Sequence, residues 1–236
     1  MGRGESKAQR HERYLRKKAQ DKVTGKAAGK VKLTDGTEAR FNGVLTYGTK
    51  DSALSPGERK TVETWENRRR NNKVEYAIGT DADGVLVGLE VRGSKHAVYV
   101  PSNYDEQPGG TFTHIHPRGD GWLGGTFSDT DLYGFARAKS ETVRAAAKEG
   151  TYSMSKTSNF DANGFVDFVK KTNKEFRDAE SKRSQAISRD LWAGKIDRQQ
   201  YLEKRAVIFN TELVRLHEKY LKGQNTYGYR YTLEQI

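Results

Sequence analysis

Two histidines stand one residue apart in Thr113-His114-Ile115-His116-Pro117, and eleven residues separate His116 from Ser128, which forms a Ser-x-x-Asp with Asp131. Two imidazoles, a carboxylate and a hydroxyl are what a one-zinc hydrolytic site needs. On a strand, residues i and i+2 project to one face, so His114 and His116 can share one Zn2+ at about 2.0–2.1 Å each. Asp131, one helical turn beyond Ser128, offers the third ligand, and a fourth position left to water is the arrangement of a catalytic zinc. Each half has a plainer reading. A His-x-His on a strand is often only surface, and Ser-x-x-Asp before an amphipathic helix is by default a capping box. The order of the two halves, a strand closed by His-x-His-Pro and then a helix opened by Ser-x-x-Asp, favours a single site.

The elements that must position these residues can be read around them. Asp35-Gly36 between short apolar runs in 31–48 signals a hairpin. Ser55-Pro56-Gly57-Glu58 reads as a helix start, with the helix running to about Arg70. Residues 73–101 read as an antiparallel meander, with strands at Val74–Ile78, Val85–Val91 and Ala97–Val100. Thr111–His116 is a further strand. From Ser128, the apolar residues Leu132, Phe135, Ala136, Val143 and Ala146 recur at helical spacing, which predicts a helix to Gly150. Residues 151–157 read as a strand. Residues 162–192 and 197–222 form two long helical patterns, an αα-hairpin candidate whose stripe of Phe209, Leu213, Leu216 and Tyr220 suits internal packing. The last segment, 223–236, alternates as a strand returning to the main sheet.

The ordered set resembles the JAB/MPN zinc metallopeptidases and their JAMM motif: a glutamate on an early strand, then His-x-His, then Ser-x-x-Asp. Glu75 is the best match for the glutamate, with Glu63, Glu66 and Glu90 as competitors. The resemblance covers roughly residues 55–157, is closest to JAB-like proteins of phages and bacteria, and includes RadC-type domains. It implies an α+β fold, a curved mixed sheet flanked by helices. With composition and pattern it gives this domain division: a basic arm over 1–30, the JAB-like unit over 31–160, and, outside the resemblance, the helical hairpin over 161–222 and the closing strand over 223–236. It also implies one zinc per chain on His114, His116 and Asp131, with Glu75 moving the proton and Ser128 stabilising the oxyanion. The substrate would be an amide or isopeptide bond of a peptide or protein. The spacer 117–127 is longer than that family's usual one. Its glycines are expected to form a lip around the site, with Trp122 and Gly124 as substrate contacts.

The net charge of +11 is concentrated at the start of the chain, where residues 1–32 carry eleven Lys/Arg against Glu5, Glu12 and Asp21. Such an arm suits nucleic acid or another polyanion through counterion release, with Arg10, Arg13, Arg16, Lys17 and Lys18 as candidate contacts. The alternative reading is therefore a non-catalytic binding protein on the same fold, for nucleic acid or a virion assembly. There are no cysteines, which excludes disulfides and thiolate zinc sites. No run approaches the roughly 18 apolar residues of a membrane helix. The expected location is the cytoplasm of a bacterial host, or a virion. The helical hairpin is a candidate oligomer contact. Arg68-Arg69-Arg70 reads as a solvated helix end, and His96 and His217 as bland surface histidines.

Overall fold

The computed structural model describes residues 30–43, 45, 54–101, 104 and 106–235. Among these, the hairpin around Asp35-Gly36 forms as β1 (Lys30–Lys32) and β2 (Glu38–Arg40), a two-stranded sheet of its own. Asp35 Oδ1 accepts from the Thr37 N–H and hydroxyl, closing the turn. Helix α1 (Pro56–Arg69) starts at Ser55, whose Oγ accepts from the Glu58 N–H while Glu58 accepts from the Ser55 N–H. With proline inside the first turn this is a full start signal.

The main sheet is mixed and has six strands: β3 (Tyr76–Thr80), β4 (Val91–Arg92), β5 (Thr111–Ile115), β6 (Thr142–Ala147), β7 (Gly150–Lys156) and β8 (Tyr229–Glu234). Their spatial order is β4-β3-β5-β6-β7-β8, and every neighbouring pair is antiparallel except β5–β6, which is parallel. The crossover between the parallel pair carries helix α2 (Asp129–Arg137). Helices α3 (Ala162–Trp192) and α4 (Arg198–Tyr227) follow β7, and β8 returns to pair with it.

Three expectations are corrected. The helix expected from Ser128 to Gly150 ends at Arg137, and the alanine-rich stretch 142–147 is the strand β6. All six of its residues are buried, so no polar alternation marks it as a strand. The strand expected over Val85–Val91 shrinks to a bridge at Leu86 and the two residues of β4, because the chain turns at Gly84 and Gly88 and leaves Val85, Leu86 and Leu89 exposed. Residues 97–100 pair with no strand.

The sheet separates two unlike layers. Val143, Ala145, Tyr152, Met154, Tyr231 and Leu233 face a core built with α2, α3, α4 and the β1–β2 hairpin. The apolar stripe of α4 enters this core through Leu213, Leu216 and Tyr220. On the other face α1 covers Ile78, Ile115 and Ala146 with Trp65, and beside them lies a buried ionic network. Glu66 accepts from Arg144 at 2.8 and 3.1 Å, from Thr113 Oγ1 at 2.8 Å and from Thr151 Oγ1 at 3.0 Å. The second carboxylate on Arg144 is Glu234, at 3.0 and 3.2 Å. Arg70 is not solvated: its guanidinium donates to the Ala147 and Gly150 carbonyls and to Thr151, clamping the β6–β7 turn.

Burial raises the Glu66 carboxyl, but Arg144, with Arg70 and the Thr113 hydroxyl, outweighs it and holds the group below its ordinary value of 4.5. Replacing one partner of such a buried pair leaves an uncompensated charge. Glu66→Gln is expected to cost about 3–5 kcal/mol in urea denaturation at neutral pH. A carboxylate whose folded pKa is depressed stabilises the fold above its unfolded pKa, and that contribution is lost as the pH falls through the folded value. The wild type is therefore expected to lose stability below 4.5, and Glu66→Gln to show a shallower acid slope.

Candidate metal centre

The parallel pairing of β5 and β6 sets where the candidate residues meet. Chain leaving the end of β5 must cross back over the sheet through α2, so the start of α2 lies beside the end of β5. His114 and His116 come from that strand end, Ser128 and Asp131 from that helix start. The two Nε2 atoms are 2.8 Å apart, and Asp131 Oδ2 lies 3.4 Å from His114 Nε2 and 3.6 Å from His116 Nε2. These edges close a triangle small enough for one point to lie about 2.0–2.1 Å from every corner, the bond length of Zn2+ to imidazole or carboxylate. The three side chains form a group able to hold a metal ion.

The surroundings of each ring suit that use. His114 is buried and stacks on Phe112, two residues earlier on the same strand face, at a centroid distance of 5.4 Å. Its Nδ1 is buried without a hydrogen-bond partner, so the polar contacts of the ring are all at Nε2. His116 Nδ1 lies 3.3 Å from the Gly125 carbonyl. Donating there fixes the tautomer that leaves the Nε2 lone pair free, the usual outer support of a metal-bound histidine. Two lone pairs facing each other at 2.8 Å repel unless a proton or cation joins them, and a cation would satisfy both nitrogens and the carboxylate together.

Asp131 belongs both to the helix cap and to the triangle. Its Oδ2 accepts from the Ser128 N–H at 2.7 Å, and Ser128 Oγ accepts from the Asp131 N–H at 3.2 Å, so the capping box is complete. The same Oδ2 is the corner of the triangle. Burial raises the Asp131 carboxyl, but His114 and then His116 hold it well below the usual carboxylate range.

Glu75 sits one residue before β3, with its backbone tied to Ser94 and Gly93. Its side chain lines the same cavity as His116, Ser128 and Asp131. Burial raises its carboxyl, with Asp131 adding to the rise, against His116, Arg118 and a hydrogen bond from the Val98 backbone. The competing glutamates are elsewhere. Glu66 lies under the sheet with Arg144, Glu63 pairs with Arg59, and Glu90 pairs with Arg69 and Trp65.

The spacer 117–127 is anchored rather than a free lip. The Leu123 N–H donates to Asn210, and the Gly124 N–H to both oxygens of the buried Glu149 at 2.9 Å. A side chain at Gly124 would bring its Cβ within 2.2 Å of Ala147 Cβ, so the loop needs glycine there to press against β6. Gly124 borders a second cavity at the site, whereas Trp122 packs on Phe209 and lines a separate groove. His96 borders both site cavities. His217 is corrected from a surface position to the core, 5.0 Å from the ring of Tyr231. Its apolar register with Leu213 and Tyr220 was the available signal. Arg10, Arg13, Arg16, Lys17 and Lys18 lie outside the described residues. No described helix is long and apolar enough to cross a membrane.

Comparison with protein-family models, with characterised proteins and with solved structures returns no match. The site thus stands on its own geometry. Protein purified without a histidine tag and stripped of metal is expected to take up one Zn2+ per chain, measured by elemental analysis. Saturation at a hundredfold excess over Kd should stabilise the fold by about 2.7 kcal/mol. Asp131→Asn keeps a side-chain acceptor for the cap but loses the charge, and should weaken zinc binding while leaving the helix formed by circular dichroism. Equal zinc uptake in the wild type, His114→Ala and Asp131→Asn would count against the centre.

Proposed function

We propose that this chain is a zinc-dependent hydrolase of amide or isopeptide bonds, working in the manner of the JAMM-type peptidases its motif resembles. The observation that carries this reading is the convergence of Asp131 on the His114–His116 pair, with Glu75 and Ser128 bordering the same cavity. One cation per chain on His114, His116 and Asp131 would supply Lewis-acid polarisation of a carbonyl and lower the pKa of water toward about 7.

The protein's own groups cover the remaining chemistry. Glu75 is half-buried with its carboxyl raised, which moves a carboxylate toward the range where it can both take and return a proton. It would accept a proton from the attacking water and deliver it to the leaving amine. Ser128 Oγ already accepts from the Asp131 N–H, so its own proton is available to donate to an oxygen gaining charge. The Gly125 carbonyl and the Phe112 ring hold the two imidazoles in place, so the geometry is set before a substrate arrives. The substrate is a peptide or protein presenting an amide to this cleft.

Glu75→Gln is expected to abolish peptide turnover while zinc content and melting temperature stay near wild type. Ser128→Ala should lower kcat by about 10²–10³-fold, the loss typical of one oxyanion donor, and cost about 1 kcal/mol as a lost cap. Turnover of a peptide mixture, read by mass spectrometry, checks both. Undiminished turnover in Glu75→Gln would sink the mechanism.

A further inference from the structure

Two cavities meet at the metal triangle, and they differ in chemistry. Both are bordered by Glu75, His116 and Ser128. One, of about 470 Å3, runs toward Lys95, Arg118 and Arg177. The other, of about 430 Å3, is lined by Phe112 and Val143 of the sheet, by Gly134 and Phe135 of α2, and by Val98 and Val100. A concave apolar space of this size, with a few convergent polar groups at one end, has the character of a ligand site.

One residue bordering the apolar cavity points the same way. Gly134 lies in the middle of α2, where glycine is a poorer helix former than alanine. No turn, cap or positive φ calls for it. A Cβ built at Gly134 would meet nothing within 4 Å, so close packing does not call for it either. Gly124 shows the contrast, since a Cβ there would collide with Ala147. Gly134 borders the cavity, and a side chain there would enter open space.

We propose that the apolar cavity is the specificity pocket of the site, that it takes a large apolar side chain of leucine or phenylalanine size next to the scissile amide, and that Gly134 keeps it open. That the neighbouring amide is cleaved rests on the hydrolase reading; the pocket itself is tested without turnover. An apolar pocket discriminates by roughly tenfold or more for each methylene it gains or loses. Filling it should therefore act on apolar substrates first.

The test uses the zinc-loaded full chain and Gly134→Leu, with Gly134→Ala as a milder variant should the first fail to fold. Each is given a randomised peptide library, and cut sites are read by mass spectrometry. In parallel, binding of N-acetyl-leucinamide and N-acetyl-glycinamide is followed by NMR. The wild type is expected to favour Leu, Phe, Ile or Met at one position flanking the cut by at least tenfold. Gly134→Leu should reduce that preference at least tenfold and weaken N-acetyl-leucinamide binding similarly, at unchanged zinc content and melting temperature. Cleavage without preference for an apolar neighbour would overturn the pocket and leave the hydrolase standing. No cleavage, but N-acetyl-leucinamide binding that Gly134→Leu weakens, would support the pocket and remove the hydrolase. N-acetyl-leucinamide bound no better than N-acetyl-glycinamide, or bound equally by Gly134→Leu, would overturn the pocket.

Discussion

The site depends on one pairing: β5 runs parallel to β6 in a sheet whose other neighbours are all antiparallel. An antiparallel partner could follow β5 after a tight turn. A parallel one requires the chain to return across the sheet, and the economical return is a helix. That geometry brings the start of α2 to the end of β5. A helix start carries unsatisfied N–H groups and partial positive charge, so a carboxylate there is already favoured. Placing two imidazoles at the strand end then completes the triangle of His114, His116 and Asp131.

β6 can occupy that central position only because its polar member is neutralised. Five of its six residues are Thr, Val or Ala, but Arg144 lies 1% exposed in the middle of the sheet. A buried guanidinium is costly unless paired and hydrogen-bonded. Glu66 from α1 and Glu234 from β8 meet it from two sides. Burial lowers the Arg144 pKa, but the two carboxylates outweigh that and keep it raised. The network therefore joins the first long helix to the last strand beneath the strand pair that builds the site, while Thr113 of β5 adds its hydroxyl to Glu66. On β5, Thr113 and Ile115 face this support while Phe112 and His114 face the site core. The alternation of one strand thus divides structure from chemistry.

Much of this was legible in the sequence because it is local. The Asp35-Gly36 hairpin, the Ser55-Pro56 helix start, the strand of His114 and the two long helices each carry their signal within a few residues. The parallel pair was not legible, and β6 is the reason. Ala145, Ala146 and Ala147 are strong helix formers, and a strand buried on both faces shows no period of two. Its spacing with Leu132 and Phe135 imitated one long helix. Glu75 was recognisable only as the best of four glutamates, because the partners that occupy Glu66 and Glu90 come from distant residues, Arg144 of β6 and Arg69 and Trp65 of α1. The loop 117–127 reads as a lip from its glycines, yet its anchors, Glu149 and Asn210, lie far along the chain. Long-range pairing is what local patterns omit.

The capping box at Ser128 shows why the structural and chemical readings of a motif need not compete. A cap needs an acceptor near the helix start, and a metal ligand needs an ionised oxygen held still. Asp131 Oδ2 is placed for both with one atom, at 2.7 Å from the Ser128 N–H and 3.4 Å from His114 Nε2. The cap restricts the carboxylate to the orientation the triangle requires, so less side-chain freedom remains to be lost when a cation binds. The N–H also stabilises the ionised form. A helix start that would form for its own sake thus serves as the rigid wall of the site, and the loop leading into it must fit its length. The spacer is pinned at Leu123, Gly124 and Gly125, the last through its carbonyl on His116, and its hold on α4 and the β6–β7 turn keeps both ends of the triangle in place.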